Sequence, residues 1–366
     1  MKVRLYTFGI VLLMVVCISY LALAQGSREP VYGGSLVMAV SADVDGLDPH
    51  KTVAAATFQI TRNIFDTLVE VDPKGRILPD LASSWDVSPD GLRWTFRLNR
   101  NILFHNGRRM TSADVKYTFE RILDKATAAP RAADYAAVKS METPDENTIV
   151  FILGQPYAPF LSNLAVGWAA IVPKEAVEKG NFRSNPVGTG PFRFAEWVPD
   201  SHVRLVKFPD YFRKGMPYLD EVTFKVLPED TVRLVNLQTG QVDVVDSILP
   251  QKASQVDKTP GLMIVSAPSN AIQIMAVNNA RPPFNDIRVR RAINYAIDKK
   301  GVIEGAQWGY GTPIGSHMSP VSEYYIDLSE RYPYDLAKAK ELLTEAGYPN
   351  GFKTTIALPQ PYDFHI

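Results

Sequence analysis

The chain has 366 residues, 46% hydrophobic and 21% charged, which are globular proportions and not those of a disordered or fibrous chain. Lys+Arg and Asp+Glu both count 39, so the basic excess that a nucleic-acid surface requires is absent. A chain of this length exceeds one ordinary core, and two or three lobes are expected.

Lys2 and Arg4 precede an uncharged stretch from Leu5 to Leu23, and Ala22-Leu23-Ala24 ends it as a small-x-small cleavage site. Basic, apolar and small segments in that order read as a secretory signal peptide over 1–24, with Gln25 as the first mature residue. The alternative is an uncleaved anchor, since the apolar stretch approaches the roughly 20 residues that span a bilayer. The single cysteine, Cys17, lies inside it after Val15 and Val16, which are too large for a lipid-attachment site. The mature chain then has no thiol and no disulfide, and no later apolar run long enough to span a membrane.

Ser35 to Val40 alternates as a half-buried strand, and Asp45-Gly46 and Asp48-Pro49 mark the turns of the loop after it. Thr57 to Val69 reads as a helix with Ile60, Ile64 and Leu68 one turn apart. Trp85 to Leu98 is a hairpin around Ser88-Pro89-Asp90-Gly91, with Trp94, Phe96 and Leu98 on one face. Thr111 to Asp114 is a capping box opening a helix whose stripe is Val115, Phe119 and Ile122. Thr148 to Leu153 is a buried strand, and the glycines and prolines of Asn185 to Phe192 mark a boundary. Strands are expected at Phe192–Trp197, His202–Phe208, Glu221–Val226, Gln241–Val245 and Ile272–Val277, with a short helix over Val232–Leu237. Asp286 and Asp335 open two further helices. The first carries Val289, Ala292, Ile293, Ala296 and Ile297; the second carries Leu336, Ala339, Leu343 and Ala346 and ends at Gly347 as its left-handed cap. Gly351 to Leu358 begins a strand with an exposed edge.

The five histidines (His50, His105, His202, His317, His365) are too scattered for a metal set, and Asp43, Asp45 and Asp48 read as turn formers and not as a calcium loop. No Gly-x-Ser-x-Gly elbow occurs, and Gly188-Thr189-Gly190 opens a strand, which is the wrong context for a phosphate loop. Trp168, Trp308, Tyr310, Tyr324 and Tyr325 sit in polar, glycine-rich settings; core packing and pocket lining both account for such residues.

In order, Leu47-Asp48-Pro49-His50, Phe65-Asp66-Thr67-Leu68-Val69, Leu78 to Trp85, Ser88-Pro89-Asp90-Gly91, Trp94 to Leu98, Phe104-His105-Asn106-Gly107 and Thr111 to Val115 form a recognisable series. It continues through Pro186 to Phe192, Gln238 to Asp243, Arg288 to Asp298 and Ala337 to Gly347. The series resembles the family 5 extracellular solute-binding proteins, the dipeptide/oligopeptide-binding lineage of ABC importers, over essentially the whole mature chain.

The resemblance implies an α/β, bilobal periplasmic-binding-protein-like fold (class II, type C) with an inserted extra subdomain. Lobe I would comprise 32–66 and 184–275, the insert 67–183, and 276–366 the N-terminal part of a third, incomplete lobe. It implies a periplasmic or extracytoplasmic, non-catalytic monomer without cofactor. The partners would be a peptide or similar small solute and ABC permease subunits, with no nucleic acid. The ligand wall carried over comprises Thr52, Val53, Ala54 and Ala55, then Met275 and Asn278, with Trp308 and Tyr310 from the third lobe. Family members run beyond residue 366, so the acid that pairs with a peptide's ammonium group has no position here and weak peptide binding is expected. The competing reading is a secreted hydrolase of peptides or glycans using a carboxylate pair.

Overall fold

The computed structural model describes residues 30–357; the segment 1–24 expected to be a signal peptide, Cys17, His365 and the tail from Leu358 lie outside the described residues. Eleven strands among these residues form three sheets. The first sheet holds β1 (Ser35–Val40), β8 (Phe192–Val198), β9 (His202–Lys207), β10 (Glu221–Val226) and β11 (Val244–Val245) in the order β11-β1-β10-β9-β8. β1 runs parallel to both neighbours, with Met38 beside Phe224 and Val244, whereas β8, β9 and β10 are antiparallel. Alternation places Val203, Leu205, Val222 and Phe224 in a core closed by Leu47, Ile60, Ile64, Val172 and Phe182.

A second sheet has the order β4-β5-β7-β6, built from β4 (Ala82–Val87), β5 (Arg93–Leu98), β6 (Val138–Asp145) and β7 (Thr148–Leu153). Its β4–β5 hairpin stands where the sequence placed it, in a register that sets Trp85 opposite Phe96 and Val87 opposite Trp94. The Ser112–Leu123 helix has the expected reciprocal capping box between Thr111 and Asp114, and its Val115, Phe119 and Ile122 stripe is buried. This second core is aromatic, with Phe96, Phe119, Phe151 and Phe160 meeting edge to face. A small ribbon of β2 (Val69–Val71) and β3 (Ile77–Pro79) lies at its entrance. The chain enters this core between Phe65 and Leu68 and leaves it between Ile171 and Val172.

Five expectations need correction. The helix expected over Thr57–Val69 spans Ala55–Thr61. Beyond it the Asn63 and Ile64 carbonyls accept from Phe192 and Gly190, and β2 begins at Val69, so tertiary partners replace the helical ladder. The strand expected at Gln241–Val245 is reduced to Val244–Val245. Neither Ile272–Val277 nor the described part of Gly351–Leu358 forms a strand, because no described segment lies alongside to complete a ladder. In the Leu336–Glu345 helix the buried stripe is Ala339 and Leu342, with Leu336 exposed, because packing against the Ile287–Ala296 helix is centred on Ala292.

Candidate functional site

In open sheets with parallel strands, ligands bind beyond the strands' carboxyl ends. Here those ends are Ser41, Leu227 and Asp246, and they are tied together. Asp246 accepts from the Ser41 amide and hydroxyl (both 3.2 Å), while the buried Arg233 donates to the carbonyls of Leu227 (2.8 Å) and Pro228 (2.6 Å). Arg233 Nε and Asp246 Oδ1 are 3.9 Å apart, an ion pair of two buried side chains. Sequence reasoning missed this brace; its only signal was an arginine within the apolar run Val232, Leu234 and Val235.

The loop leaving β1 carries the predicted Thr52–Ala55 segment. The Asp45 carboxylate grips it at two points, accepting from Thr52 Oγ1 (2.9 Å) and Thr57 Oγ1 (2.8 Å), and Thr52 Oγ1 accepts from the Ala54 amide (3.0 Å). The Asp45 carbonyl is fixed in turn by Arg183. Thr52 is therefore a buried support, whereas Val53 and Ala55 are exposed at the start of the Ala55–Thr61 helix. Among the described residues no protein group hydrogen-bonds the backbone N–H or C=O of Val53.

Behind this loop, Arg121 forms a two-pronged ion pair with Asp48 (3.0 and 2.5 Å) and donates to His50 Nδ1 (2.7 Å). His50 Nε2 faces the Ala170 carbonyl at 2.9 Å. A guanidinium can only donate and a carbonyl can only accept, so the ring is the neutral Nε2–H tautomer. Burial, reinforced by Arg121, pushes His50 down to about 4. Burial alone would raise Asp48, but its bonds to Arg121 outweigh it and hold the carboxyl below the usual range. The turn-forming acids of the sequence are thus structural anchors: Asp43 likewise accepts from the Asp200 amide (2.7 Å) and Trp197 Nε1 (3.2 Å).

Met275 is exposed on the unpaired segment, and Asn278 spends its side-chain oxygen on the Ala280 amide (3.0 Å). Trp308 is 62% exposed in a left-handed turn (φ +52°) after the Lys299–Ala306 helix, with Tyr310 beside it and also exposed. Among the described residues no hydrogen bond joins these two groups to each other or to Thr52–Ala55. Of the other aromatic candidates, Trp168 packs edge-on against Phe58 (5.7 Å) and under Arg131 (4.6 Å), and Tyr324 is exposed. Among the described residues no group of three or more His, Cys, Asp or Glu is arranged to hold a metal.

Residues 76–365 match the profile of the bacterial extracellular solute-binding proteins, family 5. The chain belongs to that family. It is 32% identical over 331 residues to the glutathione-binding protein GsiB of Pectobacterium atrosepticum, a match covering 90% of this chain and 64% of the relative. The chain thus spans just under two thirds of the length of that relative. Among solved structures it resembles the periplasmic binding protein DppA of Helicobacter pylori in complex with the peptide STSA (TM-score 0.74, 34% identity, 89% of this chain and 68% of that one). It also resembles AgaA of A. tumefaciens R10 in complex with agropinic acid (TM-score 0.74, 34% identity, 87% and 65%). The α/β fold is that of the family 5 periplasmic binding proteins. No helix among the described residues is long and apolar enough to cross a membrane.

Proposed function

We propose that this chain is the extracytoplasmic solute-binding component of an ABC importer, presenting a peptide or related small solute to permease subunits. The observation that carries the reading is the Val53 backbone, which no described residue hydrogen-bonds and which Asp45 and Thr52 hold in place beyond the carboxyl end of β1. An extended ligand adds to such backbone as a strand adds to a sheet edge. Met275 and Asn278 contribute from the segment entering the 276–366 lobe and Trp308 and Tyr310 from within it, and hinge closure between the lobes removes water from the ligand's bonds. The basic-apolar-small leader supports export, and the protein acts as a monomer. In the lobe division of 32–66 with 184–275, 67–183 and 276–366, the packing of Val172, Ala176 and Phe182 into the first core favours a return point nearer 171.

The relatives' names span glutathione, a peptide and agropinic acid, so the ligand is assigned as a class and not as one compound. The hydrolase reading gains no support from the buried, interacting carboxyl pair Asp66 and Asp80. Both spend their oxygens on Thr189, Tyr211, Thr67 and Arg213. Titration calorimetry with tetrapeptides, glutathione and agropinic acid tests the proposal on a chain extended to the length of the relatives. Saturable binding of one class without turnover is expected, weakened about tenfold by Val53→Pro, which removes one ligand-facing donor (~1.4 kcal/mol). Product release, or binding indifferent to Val53→Pro, would sink it.

A further inference from the structure

Where the chain passes between its two large cores, Asp66 stands at the meeting point of four segments. Its backbone carbonyl accepts from Ile171 at the return crossing (3.1 Å). Its two carboxyl oxygens hydrogen-bond the hydroxyls of Thr189 (2.8 Å) and Tyr211 (3.2 Å), and when protonated the group donates to one of them and accepts from the other. The next residue, Thr67, donates its amide to Asp80 (3.2 Å). Asp66, Asp80 and Thr189 are all buried.

The charge balance of this junction is uneven. Three carboxyls, Asp66, Asp80 and Glu70, surround one guanidinium, that of Arg213. Arg213 spends itself on Asp80 (2.6 Å) and Glu70 (3.0 Å), and Asp66 has only hydroxyl partners. A buried carboxylate without its own cation is costly, and the group responds by keeping its proton.

We propose that Asp66 is a proton-held latch between the two cores, closed while its carboxyl is protonated and loosened when it ionises. Burial first, and then the neighbouring Asp80, push Asp66 up to about 8; burial also raises Asp80, against the pull of Arg213. The Gly188–Gly190 turn is also held by the Ile64 carbonyl, which accepts from the Gly190 amide (2.9 Å), and by His105. Its Nε2 donates to the Gly190 carbonyl (2.9 Å), and its Nδ1 accepts from the Gly188 amide (3.3 Å). Burial holds that ring neutral down to about 4, with Arg193 as its charged neighbour, so it is silent above pH 6.5. A carboxyl with a raised native value contributes fully at low pH, and its contribution is lost as pH rises through the native value. Opening of the junction should therefore increase about tenfold per pH unit between pH 6 and 8 and level off above.

Two measurements decide this. The Asp66 carboxyl carbon, followed by NMR against pH, should titrate near pH 8; titration in the ordinary aspartate range overturns the proposal. The second is hydrogen exchange of the Ile171 and Gly190 amides, with intrinsic rates divided out. Their opening should rise between pH 6 and 8 in the wild type and be flat in Asp66→Asn, which keeps an acceptor for Thr189 but has no proton to lose. At pH 8.5 both amides should open ahead of Phe224 in the first sheet. Equal pH dependence in wild type and Asp66→Asn, or exchange of these amides only together with Phe224, overturns it. If Asp66→Asn does not fold, the carboxyl titration and the comparison with Phe224 on the wild type still support or overturn the latch.

Discussion

His50 and His105 use both ring nitrogens in the same way, one donating to a backbone carbonyl and one accepting from a group that can only donate. Burial holds both rings neutral down to about 4, with the positive charge of Arg121 or Arg193 adding to it, and protonation would in addition turn each acceptor into a donor facing a donor. In the unfolded chain a histidine takes its proton near 6.5. The native values are depressed, so each ring's stabilisation is complete above about 6.5, declines as pH falls towards 4, and is constant below. Asp66 and Asp80, whose native values are raised, act in the opposite direction over part of this range, so the clean observable is a difference between variants. His50→Gln retains a donor for Ala170 and an acceptor for Arg121 but cannot titrate. Relative to wild type it should gain about 1.4 kcal/mol per pH unit as pH drops from 6 to 4.5. Urea unfolding at four pH values between 7 and 4.5 gives the difference; a constant offset would remove His50 from the acid response.

Elements that carry their own instructions were legible in the sequence. The Ser88–Gly91 hairpin, the Thr111 capping box and the alternating strands β8, β9 and β10 stand where expected, because turn chemistry, caps and period-two patterning are local. Segments whose structure depends on a distant partner were not legible. Ile272–Val277 has a strand's composition without a neighbouring strand, and the Thr57–Val69 pattern continues past Thr61 although other segments claim the next carbonyls. At the candidate site the sequence singled out the Thr52–Ala55 loop but not what holds it: the Asp45 clamp and the Arg233–Asp246 brace join residues only 7 to 13 positions apart, yet no periodicity says which side chains of a loop will close on each other. Gly188 and Gly190 show the same limit: what reads as a boundary in the sequence is a close approach of two backbones. A Cβ at Gly190 would lie 2.6 Å from the Ile64 carbonyl carbon, and one at Gly188 would overlap the Ile64 oxygen. Gly190→Ala should therefore cost about 1–3 kcal/mol through overpacking, read as a lowered urea midpoint. Gly240→Ala, where a Cβ meets nothing within 4 Å, controls for loss of glycine itself; its φ of +70° carries only the left-handed penalty. Gly190 itself has no positive φ, so a Gly190→Ala cost below about 1 kcal/mol would show that the Ile64 contact does not set the requirement.

At the scale of the whole molecule, apolar burial is divided unevenly. The second-sheet core includes Phe96, Phe104, Phe119, Phe151 and Phe160, each fully buried, and the first-sheet core is closed by residues from both ends of its discontinuous chain. The Ile287–Ala296 and Leu336–Glu345 helices instead meet over Ala292, Ala339 and Leu342, with Tyr295 and Leu343 half-buried at the margin. Around them Met275, Trp308, Tyr324, Ile326 and Ile356 are exposed. Apolar area removed from water is the main driving term, at about 25 cal/mol per Å². A contact of two alanines and a leucine therefore holds this helix pair less firmly than five phenylalanines hold the second sheet. Elements with few buried apolar contacts open locally before the molecule unfolds. The amides of Ile293 and Leu343 should accordingly exchange at least about 100-fold faster than those of Phe96 and Phe151 at pH 7, a difference of ~2.7 kcal/mol in opening free energy. Protection at Ile293 equal to that at Phe96 would mean that the helix pair unfolds only together with the sheets, and that the three buried clusters are one cooperative unit.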